Sequence, residues 1–165
     1  MIAALVPEAE PLVAPFRDRL DPTARRGLGA HLTLVHPFVE PPRVTDATVA
    51  ALRTAVAPVA PFDCRFGALR WFGRRVLWLA PDPVEPFREI AERIAGGVGD
   101  LPPREERELV PHLTIGLRRA APAGALEAAA EALAPSLPVR ARIDRVHLMV
   151  RAADWRSAAE APLGG

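Results

Sequence analysis

Apolar residues recur along this chain in two rhythms, and the changes between them mark out its elements. "IAALV" (2–6) is a short continuous apolar run, which predicts a buried strand. "EPLVAPFRDRL" (10–20) carries Leu12, Phe16 and Leu20 at every fourth position and predicts a helix, disturbed at Pro15. "AHLTLVHPF" (30–38) alternates as a strand does and ends at Pro37. "VTDATVAALRTAV" (44–56) predicts a helix, with Thr45 as N-cap and Val49, Leu52 and Val56 as its buried stripe. The aromatic and β-branched stretches "FDCRFGALRWF" (62–72) and "RVLWLA" (75–80) flank Gly73-Arg74 and predict a hairpin. "DPVEPFREIAERIAGG" (82–97) predicts a helix capped by Asp82, with Pro83 at its first position and Glu85 completing a capping box. Its stripe is Phe87, Ile90 and Ile94, and Gly96 ends it. A charged, proline-broken loop follows, then the strand "VPHLTIGL" (110–117) and the helix "AGALEAAAEALA" (123–134). "VRARIDRVHLMV" (139–150) and "WRSAAEAPL" (155–163) close the chain as strands.

In this order the two halves rhyme. Each contains a strand spelling His-Leu-Thr-aliphatic, "HLTL" at 31–34 and "HLTI" at 112–115, with a helix before and after it and a strand pair beyond. The motifs lie 81 positions apart, about half the 165-residue chain. A duplicated unit related by a pseudo-twofold axis gives such a pattern. No stretch reads as a flexible interdomain linker, so residues 1–165 are expected to form a single two-lobed domain.

Composition narrows the function classes. Net charge is +1, so there is no broad electropositive field of the kind long nucleic acids favour. The chain has no lysine, which excludes a lysine nucleophile or Schiff base. Cys64 is the lone cysteine, so neither a disulfide framework nor a cysteine-based zinc site exists, and it reads as a small buried hydrophobe. The opening "MIAALVPEAEP" has no basic region before its five-residue apolar run, so neither a signal peptide nor a membrane span is expected there. The expectation is a cytoplasmic monomer with no membrane partner.

The motif strands carry the chemistry. Alternation puts His31 and Thr33 on one face and Leu32 and Leu34 on the other; His112 and Thr114 oppose Leu113 and Ile115 in the same way. If the two strands flank a cleft, two imidazoles and two hydroxyls converge. One imidazole can take a proton while the other gives one, and the hydroxyls can hold anionic oxygens. A phosphodiester needs those four groups and no metal or cofactor. One His-x-Thr alone would be an ordinary half-buried strand; two copies in rhyming contexts are not. A metal site from His31, His36 and a third ligand is disfavoured, because alternation separates the two histidines. His36 falls on the Leu32/Leu34 face and reads as structural, as does His147 in its late strand, with a supporting role behind the site as the alternative for His147.

With these residues the chain resembles the two-histidine phosphoesterase superfamily, in its bacterial 2′-5′ RNA ligase-like branch. "GLGAHLTLVHPF", "VLWLAPDPVEPFREI", "PHLTIGL" and the closing "W…APLG" follow that branch in order, over nearly the whole chain. The resemblance implies an α+β fold of two pseudo-twofold-related lobes, with antiparallel sheets lining a central cleft and helices outside. It implies metal-independent chemistry on 2′,3′-cyclic phosphates or 2′-5′ linkages of RNA ends or nucleotides, with His31, Thr33, His112 and Thr114 as the catalytic set. By the same analogy His112 is the base and His31 the acid. Studied members of the branch carry an arginine five residues after the second motif histidine; here that position is Leu117, and Arg118 follows it. Alternation from Thr114 puts Arg118 on the motif face, where it is expected to serve a phosphate. Trp71 or Phe72 is expected to stack on a nucleobase, and Arg104 and Arg107 are further phosphate candidates. The competing reading is a module that binds or senses a nucleotide or RNA end with the same pocket and little turnover.

Overall fold

The computed structural model describes residues 1–99, 101–102 and 108–164. Arg104 and Arg107 lie outside them. Eight strands and four α-helices are arranged as β1 (Ile2–Leu5), α1 (Glu10–Leu20), β2 (His31–Val35), α2 (Asp46–Val56), β3 (Phe62–Phe72), β4 (Val76–Asp82), α3 (Glu85–Gly97), β5 (Leu113–Leu117), α4 (Ala125–Leu133), β6 (Val139–Ile143), β7 (Arg145–Arg151) and β8 (Trp155–Pro162). All strand pairings are antiparallel, in the order β6-β3-β4-β5-β2-β1-β7-β8. Four strands lie on each side of the β5–β2 junction, so the motif strands meet at the centre, where the two lobes join. One residue, Asp144, links β6 at one edge to β7 near the other. The sheet must curl for so short a link to serve.

The helices exchange lobes. α1 joins β1 to β2 yet packs beneath β5, and α3 joins β4 to β5 yet packs against β2. Each motif strand is thus supported by the helix that enters the other. Leu32, Leu34, Leu113 and Ile115 are buried beneath the junction with Leu77, Leu79, Phe87 and Ile90. Burying each such side chain is worth about 1.5–3 kcal/mol. A one-residue slip of either strand would expose these chains and bury the histidine and threonine instead, so the core fixes the register of the site.

The structure revises several details. Thr45 caps α2 through a capping box with Thr48, as its pattern predicts. Asp82 does not cap α3: it ends β4, and the helix begins at Glu85 with no side-chain cap and continues through Gly97. α1 runs through Pro15 and turns Val13, Arg17 and Leu20 inward, while Leu12 and Phe16 are only partly buried. Its buried face is therefore shifted by one residue from the predicted stripe. A fully buried arginine results, paired with Asp21 one turn later at 2.9 Å. The other oxygen of Asp21 accepts from the Thr23 amide and hydroxyl, which fixes the start of the loop to β2. His36 is exposed rather than packed in the core: Leu34 and Val35 are both buried, because the β1–β2 register shifts at Ile2/Ala3 and breaks the alternation. The single strand read over 139–150 divides at Asp144. Cys64 is buried in β3, and burial pushes its thiol up to about 11. Among the described residues no helix is long and apolar enough to cross a membrane.

Candidate active site

β2 and β5 pair through Leu32 and Leu113. Carrying that antiparallel register one residue each way sets His31 beside Thr114 and Thr33 beside His112. Partners across such a pair have Cβ atoms about 4.5–5.5 Å apart, and diagonal neighbours about 7–8 Å. The two histidines therefore occupy one diagonal of a small square and the two threonines the other. All four lie on the face opposite the leucine core.

The imidazoles are held alike. His31 Nδ1 lies 2.8 Å from the Gly29 carbonyl, and His112 Nδ1 lies 2.7 Å from the Val110 carbonyl. A carbonyl can only accept, so Nδ1 carries the proton in both rings. Each Nε2 is left as the working nitrogen. Glu10, reaching from α1, accepts from the Ala30 amide and anchors the approach to His31. Among the described residues the Thr33 hydroxyl has only the Met1 sulfur, at 3.8 Å, as an acceptor. Thr114 has no hydrogen-bond partner among the described residues. Both hydroxyls can turn to a ligand oxygen at little cost.

Burial separates the two histidines electrostatically. His31 is 9% exposed, and desolvation, reinforced by the Arg17 charge, lowers its pKa to about 4. His112 is less enclosed; desolvation lowers its pKa too, opposed by the bond to the Val110 carbonyl. Both rings are neutral at neutral pH in the unliganded protein. Among the described residues no three His, Cys, Asp or Glu side chains are grouped to hold a metal ion.

The other candidates divide. Phe72 is on the motif face, but its ring stacks on Trp78 at 4.7 Å and meets His112 edge-on at 4.9 Å, so it buttresses the histidine rather than offering a free platform. Trp71 pairs with Leu77 and packs against the core, on the opposite face. Arg118 is not brought to the motif face. The β4–β5 register shifts between Leu77 and Trp78, which reverses the alternation after Thr114. Arg118 then leaves the strand in a 3-10 turn, where its guanidinium pairs with Glu127 and its Nε donates to the Arg74 carbonyl. A glycine makes that irregularity possible: a Cβ on Gly116 would lie 2.6 Å from both Leu20 and Leu126.

Trp78 and Arg17 are not expected at the site from the sequence, and His147 only as the alternative to a structural role. Trp78 pairs with Thr114 and packs on His112 at 5.8 Å. Counting across the Gly73 turn would have put it on Phe72's face. Arg17 and its partner are visible in the sequence only as an i, i+4 charge pair. His147 lies on the motif face, reached from Thr33 through their shared neighbour Ala3. No local pattern in the sequence carries that relation.

Among solved structures, TT0787 of Thermus thermophilus is similar at 20% identity and a TM-score of 0.65, covering 99% of this chain and 97% of that one. E. coli LigT complexed with 3′-AMP is similar at 17% identity and a TM-score of 0.62, with the same coverage. LigT complexed with ATP gives 19% identity and a TM-score of 0.55, covering 98% and 92%. These likenesses establish the fold. A comparison with curated protein sequences finds no match. The model of one family, described as the 2′-5′ RNA ligase superfamily, matches residues 5–155, a span that contains both motif strands, every helix and the central junction. The chain belongs to the 2′-5′ RNA ligase superfamily.

Proposed function

We propose that this protein opens 2′,3′-cyclic phosphates, or cleaves 2′-5′ linkages, on RNA ends or nucleotides, by acid–base catalysis between His31 and His112 without a metal. One observation carries the reading: the two Nε2 atoms are set on one diagonal and the two hydroxyls on the other, with both Nδ1 protons tied to backbone carbonyls. The nucleotides held by LigT, 3′-AMP and ATP among them, support a nucleotide ligand.

The reacting phosphate sits over the square. Thr33 and Thr114 donate to its non-bridging oxygens, where charge builds as the attacking oxygen arrives. One Nε2 takes a proton from water or a 5′-hydroxyl as the new P–O bond forms. The other, charged by a proton taken up at Nε2 when the phosphate anion binds, gives that proton to the ribose oxygen as the old bond breaks. The single proton the pair shares before reaction rests more easily on the open His112, which leaves the enclosed His31 uncharged as the base and makes His112 the acid. That reverses the order the family resemblance implies, and the unequal burial of the two rings is the reason. Phe72 and Trp78 hold the His112 ring in place.

The test is turnover of a small panel of nucleoside 2′,3′-cyclic phosphates, followed by mass spectrometry of the products. Changing either His31 or His112 to Asn is expected to slow it by about 10²–10⁴-fold. The two effects together should be smaller than their product, because the pair acts as a unit. Either variant within a few-fold of wild type removes that residue from the mechanism. Tight binding with no product would make the protein a nucleotide or RNA-end sensor instead.

A further inference from the structure

On the far side of His31 from the aromatic pair, the motif face sinks into a cavity of about 560 Å³. It borders the motif strands at the His31 end. Leu5, on its floor, is the register partner of His31, and Gly29 and Ala30 in its wall lead into that histidine. Its far wall holds His147 and, opposite it on β8, Glu160. Neighbouring strands are spaced about 4.8 Å apart, so β1 alone separates the His147 backbone from that of Thr33, at about 10 Å.

His147 has no part in the proton transfers. It is 9% exposed, and its Nδ1 faces Ser157 Oγ at 3.4 Å and Glu160 Oε1 at 3.8 Å. Its Nε2 has no partner among the described residues. Desolvation holds its pKa below the ordinary range, against the pull of Glu160. The ring is neutral, and with Nδ1–H turned toward Ser157 and Glu160 it leaves Nε2 as an unused acceptor on a side chain that lines the cavity.

The remaining lining is rich in acceptors. Four carboxylates border the cavity, on Glu8, Glu10, Asp144 and Glu160, against two arginines. Both arginines are already engaged: Arg142 with Asp63 at 2.9 Å, and Arg145 with Asp144 at 2.9 Å and Glu160 at 2.8 Å. The carboxylates are engaged too, Glu8 by the Arg142 amide, Glu10 by the Ala30 amide, and Asp144 and Glu160 by Arg145, but they outnumber the arginines by four to two and each keeps further lone pairs, so the lining repels a second phosphate and favours a group that brings N–H donors. The other flank is closed, because Phe72 and Trp78 stack on each other.

We propose that this cavity holds the nucleobase of the substrate and selects bases presenting an exocyclic amine, with His147 Nε2 and the Glu160 carboxylate as the acceptors. The proposal rests on the cyclic-phosphate reading above. Cytosine presents an amine at position 4, whereas uracil presents a carbonyl oxygen there, which these acceptors would repel.

The experiment compares kcat/KM for cytidine and uridine 2′,3′-cyclic phosphates, with glycerol 1,2-cyclic phosphate as a base-free reporter of the reaction centre. The full-length protein is expected to prefer cytidine by about tenfold, the usual effect of one hydrogen bond to a charged acceptor. In His147→Leu the ratio should fall toward one. A ratio is independent of the fraction of enzyme folded; should His147→Leu yield no soluble protein, Glu160→Gln provides the second variant and should also lower the ratio. A wild-type ratio near one, or a preference that survives in the variants, overturns the proposal and leaves the phosphoesterase reading standing. So does equal turnover of the base-free and cytidine substrates. Turnover of none of the three overturns that reading and the proposal with it.

Discussion

Because His31 is buried and neutral, it should make the fold sensitive to acid. Its pKa is 6.5 in the unfolded chain and about 4 in the folded one, so between those values the unfolded state binds more protons. Stability therefore rises with pH across that window: the contribution of His31 is complete above pH 6.5 and is lost as the pH falls toward 4. At 1.36 kcal/mol per unit the gap is worth about 3 kcal/mol. That is a large share of the roughly 5–15 kcal/mol that holds a typical domain together. The perturbation is His31→Asn, which keeps a donor near the Gly29 carbonyl but does not titrate. Urea denaturation of both proteins at steps from pH 7.5 to 4 gives the two stability curves. Other titrating groups are common to both and cancel in the difference. The variant should lose about 3 kcal/mol less than wild type over that range. Parallel curves would mean that His31 takes up its proton inside the folded protein at no cost, and the burial argument, with the base assignment built on it, would be wrong.

Further outcomes are expected. Valine at Thr33 or Thr114 keeps the strand but removes a hydrogen bond to a charged group, worth about 1.5–3 kcal/mol, so kcat/KM should fall roughly ten- to a hundred-fold; a change in melting temperature with normal kinetics would assign the hydroxyls to the scaffold. The active form needs His31 neutral and His112 protonated, so kcat/KM should peak between pH 4 and 6.5, with an acid limb near 4. A bound phosphate anion raises both pKa values, so kcat alone should peak at higher pH, and a kcat/KM maximum above pH 7 would contradict the assignment. Gly116→Ala forces a methyl against Leu20 and Leu126 and should cost about 1–3 kcal/mol in thermal or chemical denaturation; an unchanged midpoint would show that the junction has slack. Exhaustive dialysis against EDTA should leave turnover intact, whereas a loss that zinc restores would recast His31 and His112 as ligands.

The elements and the candidate reacting groups are legible in the amino-acid order alone. Periodicity places the helices and most strands, and capping the start of α2, since each rests on contacts within a few residues. Alternation in "HLTL" and "HLTI" sets each histidine and threonine on one face and the aliphatic side chains on the other, because a strand has a side-chain period of two. The rhyme between the halves anticipates the two lobes. How residues far apart in the chain meet is a matter of the folded arrangement. The β2–β5 pairing turns two separate motifs into one square of alternating histidines and threonines. A register shift in β4–β5, tolerated because Gly116 lets Leu20 and Leu126 press against the strand, turns Arg118 away from the site toward Glu127. The setting of α1 puts Arg17 in the core near His31, and pairing through β1 brings His147 to the same face as Thr33. Each of these depends on register between strands or on which helix covers which sheet. Register is set by the fit of whole layers against one another, and no local stretch of sequence encodes it.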